Sequence, residues 1–565
     1  MDIIVCVKRV PMTQEVDLQI DPGKKRLRNP DLAYVINDWD NYAVEEAVRL
    51  KEQSDGMITA VTVGSAEDEE VLRRALAMGA DKAIRVDPGD RVLDGYVISR
   101  ILSDVIKPLP HDLVLTGVQA EDDNCAAVGI MLAEQLGLPH AAVVTHVEME
   151  GSEAAIRVEL EGGMDEVSRI RLPALFTIQT GINEPRYVSI MGIRKASKKE
   201  LRVMAVEDLG LSEDDLTPRV VVEELYLPPE AAGASFLEGD PAIIAEKIVI
   251  EHRQGKVRDI SLEILSKADE LCQRLSFRLT AAILAADGDS IVEGLKARAD
   301  RFLVFQDERL ATFEPERYTG ILSRVIREER PFLTLMGHTP WGMDLAPALA
   351  VRTGFPLATD CSDLSVQGGK PSAVRQILNG KVFSKVGFKD SEGYLITARP
   401  GAFPPGSPGA REGRIEKREI PQDLPEPRRR FLTFEDTGAG AVDITQAELL
   451  VSIGRGVGDA QNIPAVQELA DLMGGVVSCS RPVVDLNWLP KYHQVGTSGK
   501  TVSPKVYLAL GISGAFQHVA GIAGAGTIIA VNKDRRAPIF RVAHYGVAED
   551  LFKIVEALKE KAGTK

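Results

Sequence analysis

ITAVTVGSAEDEEVLRRALAMGA, residues 58–80, reads as an apolar strand, a polar turn and a helical run closing on Gly79. Outward toward the N-terminus lie the strand-like DIIVCV (2–7) and the helical AVEEAVRLKEQ (43–53). Short Val/Ile/Leu runs that alternate with helical periods mark βαβ units around a parallel sheet, so the fold class is α/β. Ligands in such sheets bind outside the carboxyl ends of the strands.

The landmarks of this stretch recur at an offset of about 220 residues, the signature of an internal repeat. Ala80-Asp81 matches Ala299-Asp300, LVLTG ending at Gly117 matches LTLMG ending at Gly337, and LFTIQTG ending at Gly181 matches LITARPG ending at Gly401. Between them each copy has a helix closing on Gly-X-Pro, at Pro139 and at Pro356. Four landmarks in one order imply two homologous domains. The join between them has no Gly/Ser linker: EGDPAIIAEKIVIEH passes from a helical pattern at Asp240-Pro241 into a strand. The later stretch from RPGAFPPGSPGAREGR to PQDLPEPRRR is rich in Pro, Gly and Arg and reads as an irregular tether. From about Ala447 a third α/β unit follows, with candidate strands ELLVSIG, GVVSCS, VYLALGIS, TIIAVN and IFRVAH.

Composition fits this division. At about 100–200 residues per domain, 565 residues exceed a single core. The net charge of −16 argues against a nucleic-acid binder. MDIIVCVKRV turns charged too soon for a signal peptide, and no apolar run reaches the length of a membrane span. Five cysteines with no metal spacing favour a reducing, cytoplasmic setting over a disulfide framework or a metal site.

Polar and glycine residues gather after the strands of the third unit, at Arg455-Gly456, Ser480-Arg481, Gly511 to Gly514, Asn532 and His544, where an open parallel sheet would hold a nucleotide. Gly454 to Gly458 is not a GxGxxG fingerprint, and Lys500 lacks the loop of a phosphate-cradling motif, so an ATPase is disfavoured. A cation, Arg481, and an imidazole, His518, aimed at one ring would stabilise the negative charge that a flavin gains on reduction. Taken singly, each feature also suits a tight turn, a solvated loop or a core histidine.

At these residues the sequence resembles the electron-transferring flavoproteins over nearly its whole length. The tract from GRGVGDAQNIPAVQELADLMGG through SRPVVDLNWLPKYHQVGTSGKTVSP to GISGAFQHVAGI and VNKDRRAPIF resembles the FAD-binding half of the family's α subunit. VKRVP, NDWDNYAVEEAVRLKE, ALAMGADKA, GVQAEDDNCAAVG and NEPRY resemble its β subunit. The two meet near Glu246-Lys247, so the chain looks like a β–α fusion. The resemblance implies two adenine-nucleotide-hydrolase-like parallel-sheet domains, 1–246 and 247–425, a tether over 426–446, and a Rossmann-like FAD-binding domain at 447–565. FAD contacts would fall on Arg455, Ser480, Arg481, Gln494, Val495, Gly496, Thr497, Ser498, Ser513, Gly514, Ala515, Phe516, Gln517, His518, Asn532 and His544. Arg481 would lie against the isoalloxazine, with Ser498 and His518 bonding its ring. Where this chain has His544 the family usually has Asp, and Ser498 stands for a usual Thr.

A second nucleotide site is implied at Cys6, Asn37, Asp38, Trp39, Asp40, Val63, Gly117, Gln119, Asp122, Asp123, Asn124, Cys125 and Val128. Ordinary members hold AMP there and electron-bifurcating members a second FAD. Asp122 to Cys125 lacks the glycine of the bifurcating loop, which points to AMP, whereas Ala127-Val128-Gly129 leans the other way. VSIMGIRKASKKE, after NEPRY, resembles the loop that docks onto acyl-CoA dehydrogenases, with Tyr187, Ile190 and Met191 at its apolar tip. The expected function is a redox carrier rather than a stand-alone enzyme, passing electrons from a flavin dehydrogenase to a quinone-linked or membrane-bound acceptor without itself spanning the membrane. The alternatives are a bifurcating NADH oxidoreductase with two FADs and a non-redox nucleotide sensor.

Overall fold

The computed structural model describes residues 1–13, 16, 18–29, 32–188, 190–227, 245–275, 277–378, 380–407, 411–436, 444–496, 499–522 and 524–562. The chain forms two compact units, one of Met1–Val158 with Ser168–Leu432, the other of Glu159–Val167 with Thr433–Lys565. In the first half of the chain run β1 (Ile3–Cys6), β2 (Ile58–Val63), β3 (Lys82–Asp87), β4 (Leu113–Gly117), β5 (His140–Glu150), β6 (Glu153–Leu160), β7 (Met164–Arg171), β8 (Ala174–Ile178), β9 (Leu201–Ala205) and β10 (Val220–Tyr226). Ten more follow: β11 (Ala245–Val249), β12 (Arg278–Ala285), β13 (Arg301–Gln306), β14 (Leu333–Gly337), β15 (Leu357–Gln367), β16 (Lys370–Ile377), β17 (Val382–Phe388), β18 (Tyr394–Ala398), β19 (Arg414–Arg418) and β20 (Arg429–Asp436).

The first sheet has the order β9-β3-β2-β1-β4-β8-β5-β6-β7-β20, and the second β19-β13-β12-β11-β14-β18-β15-β16-β17-β10. Advancing each label by ten converts one into the other except at the end strand, where β20 closes the first sheet and β10 the second. Each half thus gives its last strand to its twin. In the second sheet β10 pairs antiparallel with β17 from Val220↔Phe388 to Tyr226↔Phe383. In the first, Arg171 N–H donates to Arg428 C=O at 3.1 Å beside β20.

The central strands of both sheets are parallel and nearly wholly buried, which is why they read as continuous apolar runs. Their order places a switch point between β1 and β4 and another between β11 and β14. The repeat extends to backbone strain. Val143 and Asp360 hold φ of 60° and 55°, and their N–H groups donate to Thr177 and Thr397 Oγ1, both at 3.1 Å. Each sits where the register of β5 or β15 slips against β8 or β18, so one hydroxyl satisfies the amide that the bulge frees. Gly137 and Gly354, from the two Gly-X-Pro motifs, end their helices at φ of 69° and 74°, a left-handed cap that glycine adopts without a Cβ penalty.

The second unit holds β21 (Leu449–Ile453), β22 (Val476–Cys479), β23 (Val506–Leu510), β24 (Thr527–Val531) and β25 (Tyr545–Val547). All pair in parallel in the order β22-β21-β23-β24-β25, a doubly wound sheet with its switch point between β21 and β23.

Three local expectations change. The tether read as irregular contains two paired strands, β19 and β20, while residues 437–443 lie outside the described residues. IFRVAH is not a strand: Pro538–Arg541 forms a 3-10 turn with proline at its start, and the strand begins at Tyr545. The docking segment is a short helix, Ile190–Ala196. The helical pattern at Asp240-Pro241 lies outside the described residues.

Candidate functional site

In the second unit, the carboxyl ends of β21 and β23 flank the switch point. Gly454 and Gly456 follow β21 and pack directly on Gly511; a Cβ on Gly454 would fall 2.3 Å from Gly511 O. Gly514 has φ 84°, and a Cβ there would sit 2.1 Å from Ile539 N. Side chains are therefore excluded along this edge, leaving backbone surface for a close-lying ligand. Arg455, Ser513, Ala515 and Gln517 are exposed around it. Asn532, at the end of β24, donates from Nδ2 to Ile512 C=O at 2.9 Å and so fixes the loop after β23.

Ser480 and Arg481 follow β22, with Ser480 buried at the N-cap of the short helix Arg481–Asp485 and accepting no cap bond. Arg481 is held by Glu159 and by Asp485, at 3.3 Å, while Lys491 lies 2.8 Å from Asp165. Burial opposes the charge on Arg481, but these carboxylates more than offset it and keep the guanidinium ionised. The loop from Gln494 to Lys500 is tied by Val495 N–H to Cys479 C=O at 2.8 Å and Lys500 N–H to Gln494 C=O at 2.8 Å. Gly496, at φ 139°, passes close beneath Gln517. Thr497, Ser498 and the side chain of Phe516 lie outside the described residues.

His518 departs from expectation. Its Nδ1 lies 3.1 Å from Val495 C=O and its Nε2 2.8 Å from Tyr507 Oη, which is 2.6 Å from Ser452 Oγ. A carbonyl only accepts, so Nδ1 carries the proton and Nε2 accepts from Tyr507. Burial lowers the imidazole to about 4. It is a neutral ring with both nitrogens engaged inside the protein, so the positive charge expected of this pair rests on Arg481. His544 is displaced more simply. Its N–H donates to Ile528 C=O and its Nδ1 accepts from Ile528 N–H, which places it at the amino end of β24, opposite the carboxyl edge. Asp550, which follows β25 at the carboxyl edge, lies 2.9 Å from Lys533 and accepts from Phe552 N–H. The parallel run of β24 and β25 was the missing signal: it puts residues after Val547, not before Tyr545, at that edge.

The first unit brings the second set together at the β1/β4 switch point. Asp40 accepts from Lys8 N–H at 2.8 Å and Gly117 N–H at 3.0 Å, bridging the ends of β1 and β4. Burial pushes this carboxyl up to about 7. Asn37 donates to Gln119 C=O and accepts from Glu121 N–H, and Trp39 donates to Gln179 Oε1 at 2.8 Å. Cys6 is a buried thiol that closes β1, raised by burial and by Asp40; Val63 closes β2. Asp38 stands exposed in the first turn of the helix Asp38–Glu52.

Lys8 Nζ lies 2.7 Å from Asp122 and 2.8 Å from Asp123. Burial pushes Asp122 up, whereas at Asp123 Lys8 overcomes the same penalty and holds it down. Asn124 and Ala126 take φ of 51° and 46°. The loop is buttressed from the second half: Arg375 donates to Asp123 C=O at 2.9 Å and lies 3.1 Å from Cys125 Sγ, and Thr359 Oγ1 donates to Cys125 C=O. This contribution of the second repeat to the loop was invisible in sequence. The helix Val128–Leu136 then begins with no side-chain cap, leaving first-turn N–H groups for an anion. Tyr187 and Met191 are 91% and 66% exposed, as is Ile193 at 55%; the side chain of Ile190 lies outside the described residues.

A doubly wound, wholly parallel sheet with a glycine-lined carboxyl edge at its switch point, in a chain that also holds two mixed sheets with parallel central strands, is the architecture of a nucleotide-binding α/β protein. Residues 30–209 and 247–423 match the electron transfer flavoprotein domain, and residues 443–523 match the electron transfer flavoprotein FAD-binding domain. The chain belongs to the electron transfer flavoprotein family. The electron transfer flavoprotein subunit alpha of Thermoanaerobacterium thermosaccharolyticum is 34% identical over 317 residues, 56% of this chain and 96% of that protein. Subunit beta of Bacillus subtilis is 39% identical over 251 residues, 44% of this chain and 96% of that protein. Protein FixB of Clostridium saccharobutylicum is 33% identical over 317 residues, 56% of this chain and 95% of that protein. Relatives of both subunits therefore match one polypeptide, as the fused reading requires. Among the described residues no helix is long and apolar enough to cross a membrane, and no group of His, Cys, Asp and Glu has the arrangement of a metal site.

Proposed function

We propose that this chain carries electrons from a flavin dehydrogenase of the acyl-CoA type to a quinone-linked membrane oxidoreductase, in the cytoplasm, where its five free cysteines stay reduced. The observation that carries the reading is Arg481, a guanidinium kept charged at the β22 end, beside a glycine-lined edge in the family's FAD-binding domain. FAD bound there supplies the ring that accepts electrons. Arg481 stabilises the negative charge of reduction, Arg455, Ser480, Ser513 and Asn532 hold the phosphates and ribose side, and Gln494 to Ser498 with Gly514 to His518 wall the ring. His518, neutral, anchors the loop at Val495 and acts through it. Asp550 takes the adenosine-side role expected of His544.

In the first unit, AMP is assigned to the β1/β4 switch point. The uncapped helix start at Val128 faces the phosphate, while Asn37, Trp39, Asp40 and Gln119 frame the base. The exposed Tyr187, Met191 and Ile193, with Arg194 and Lys195 after them, suit docking of an apolar tip into a dehydrogenase groove with charge steering. The test is to count bound flavin and AMP, then mix the protein anaerobically with acyl-CoA dehydrogenase and its substrate, and separately with NADH. One FAD, one AMP and flavin bleaching only by the dehydrogenase support the carrier. Two flavins with rapid bleaching by NADH replace it with the bifurcating oxidoreductase. A colourless protein that keeps AMP replaces it with a nucleotide sensor.

A further inference from the structure

At the amino-terminal edge of the second sheet, far along the strands from the carboxyl-end switch point, one register row crosses five strands. It contains Thr334 on β14, Lys247 on β11, Thr280 on β12, Arg301 on β13 and Arg414 on β19. Residues in register on parallel neighbours project from the same face of the sheet. A cavity of about 380 Å³ opens over the last four of these, Lys247, Thr280, Arg301 and Arg414, with Arg278 also on its wall.

Lys247 is 2% exposed, and its Nζ has no hydrogen-bond partner among the described residues. Thr334 Oγ1 in the same row is likewise buried without a partner. An unpaired buried ammonium is costly, and a protein keeps one only where something offsets the cost. The repeat supplies an internal control. Ile3 pairs with Leu113 as Glu246 pairs with Leu333, so Ile4 and Val114 of the first copy stand where Lys247 and Thr334 stand in the second. Both are core residues, 1% and 0% exposed. The fold is therefore satisfied by aliphatic side chains at these positions, and the lysine answers some other need.

The carboxylates on the cavity wall do not meet that need. Glu329 and Glu416 pair with Arg301 at 2.6 and 2.7 Å, Glu329 pairs again with Arg418 at 2.6 Å, and Asp300 pairs with Arg411. Arg278 and Arg414 are exposed and make no ion pair among the described residues. Burial lowers Lys247 to about 8, with Glu329 and Glu328 supporting its charge and Arg301 and Arg418 opposing it, so it stays largely protonated at neutral pH. The cavity thus offers three uncommitted cations and a hydroxyl, on a protein whose net charge is −16. Convergent donors of this kind match a compact dianion.

We propose that this cavity binds a phosphate group, with Lys247 as its inner ligand, the Thr280 hydroxyl beside it, and Arg278 and Arg414 closing the mouth. The site owes nothing to the redox reading, and its test needs no electron transfer. FAD-loaded full-length protein is titrated by calorimetry with inorganic phosphate and with glycerol 3-phosphate, chloride holding the ionic strength constant. Saturable binding of one equivalent is expected, weakened about tenfold or more in Lys247→Ile and in the double variant Arg278→Gln/Arg414→Gln. Tighter binding of the ester identifies a phosphorylated metabolite, and equal binding identifies the free ion; both support the site. Without phosphate, Lys247→Ile should melt at a higher temperature than the parent, because the residue of the twin copy removes the unpaired charge. Binding unchanged in both variants, or no saturable binding by the parent, would overturn the proposal. The double variant alters only exposed side chains, so it decides the matter even where Lys247→Ile fails to fold.

Discussion

At the scale of single residues, charge at the carboxyl edges of the two candidate sites is set by what each carboxylate or guanidinium meets when water is removed. Arg481 keeps its charge against burial because Glu159 and Asp485 face it. Replacing it with Met should lower the flavin reduction potential by about 60 mV or more, a tenfold shift for a one-electron couple, measured by spectroelectrochemistry. Arg481→Lys, which retains a charge, should lower it less. An unchanged potential in Arg481→Met would place the ring elsewhere. Asp40 tests the other edge through pH. Its carboxyl is raised by burial from 3.8 to about 7. A group whose folded pKa is raised contributes stability that is complete below its unfolded pKa and is lost as pH rises through the folded one. The parent should therefore lose stability between about pH 4 and pH 7 relative to Asp40→Asn, and the two melting curves should run parallel above that window. Asp40→Asn also loses an acceptor for Lys8 or Gly117 N–H, a constant offset that leaves the slope diagnostic.

At the scale of elements, the exchange of β10 and β20 ties the two repeats together. Arg429, at the start of β20, reaches Asp344 at 2.8 Å with both side chains almost fully buried, and Asp344 also accepts from Ala142 N–H. Removing one partner of a buried pair costs about 3–5 kcal/mol, whereas replacing both by apolar groups is near neutral. Asp344→Leu and Arg429→Met should each be strongly destabilising in denaturant melts, and the double variant should recover most of the loss. Additive losses would show that the two side chains act separately. The matching order of the two sheets could be read from LVLTG and LTLMG, because strands buried on both faces announce themselves as apolar runs. The exchange could not. VVVEELY and RRFLTFED are charged edge strands, and nothing local in an edge strand names the sheet it will join. For the same reason RIEKR looked like tether. IFRVAH failed differently: four apolar positions suit a strand or a turn equally, and Pro538 at the start of a turn decided it. The candidate FAD edge was legible at Ser480, Arg481 and Gly511 to Gly514 because they follow clear strands, whereas the state of His518 depends on Tyr507 and Val495, brought to it by tertiary contact.

At the scale of the molecule, fusing two subunits raises the question of what the covalent join contributes. Within the first unit the halves already share six paired positions between β10 and β17, the buried cluster of Leu18, Leu225, Leu378 and Val382, the Arg352–Glu134 pair at 2.6 Å, and the buttress of Arg375 on the loop at Asp123. Exchanged strands and buried ion pairs are the marks of an obligate interface, one in which neither side completes its sheet alone. The peptide link therefore adds effective concentration to an association that the packing already sustains. Residues 1–227 and 245–565 expressed together as separate chains should co-elute in gel filtration, stay together on dilution, and retain the flavin spectrum. Expressed alone, each should aggregate, because it exposes the edge its twin covers. Two chains that elute apart yet each remain monomeric and folded would show that the join, and not the exchanged strands, holds the first unit together.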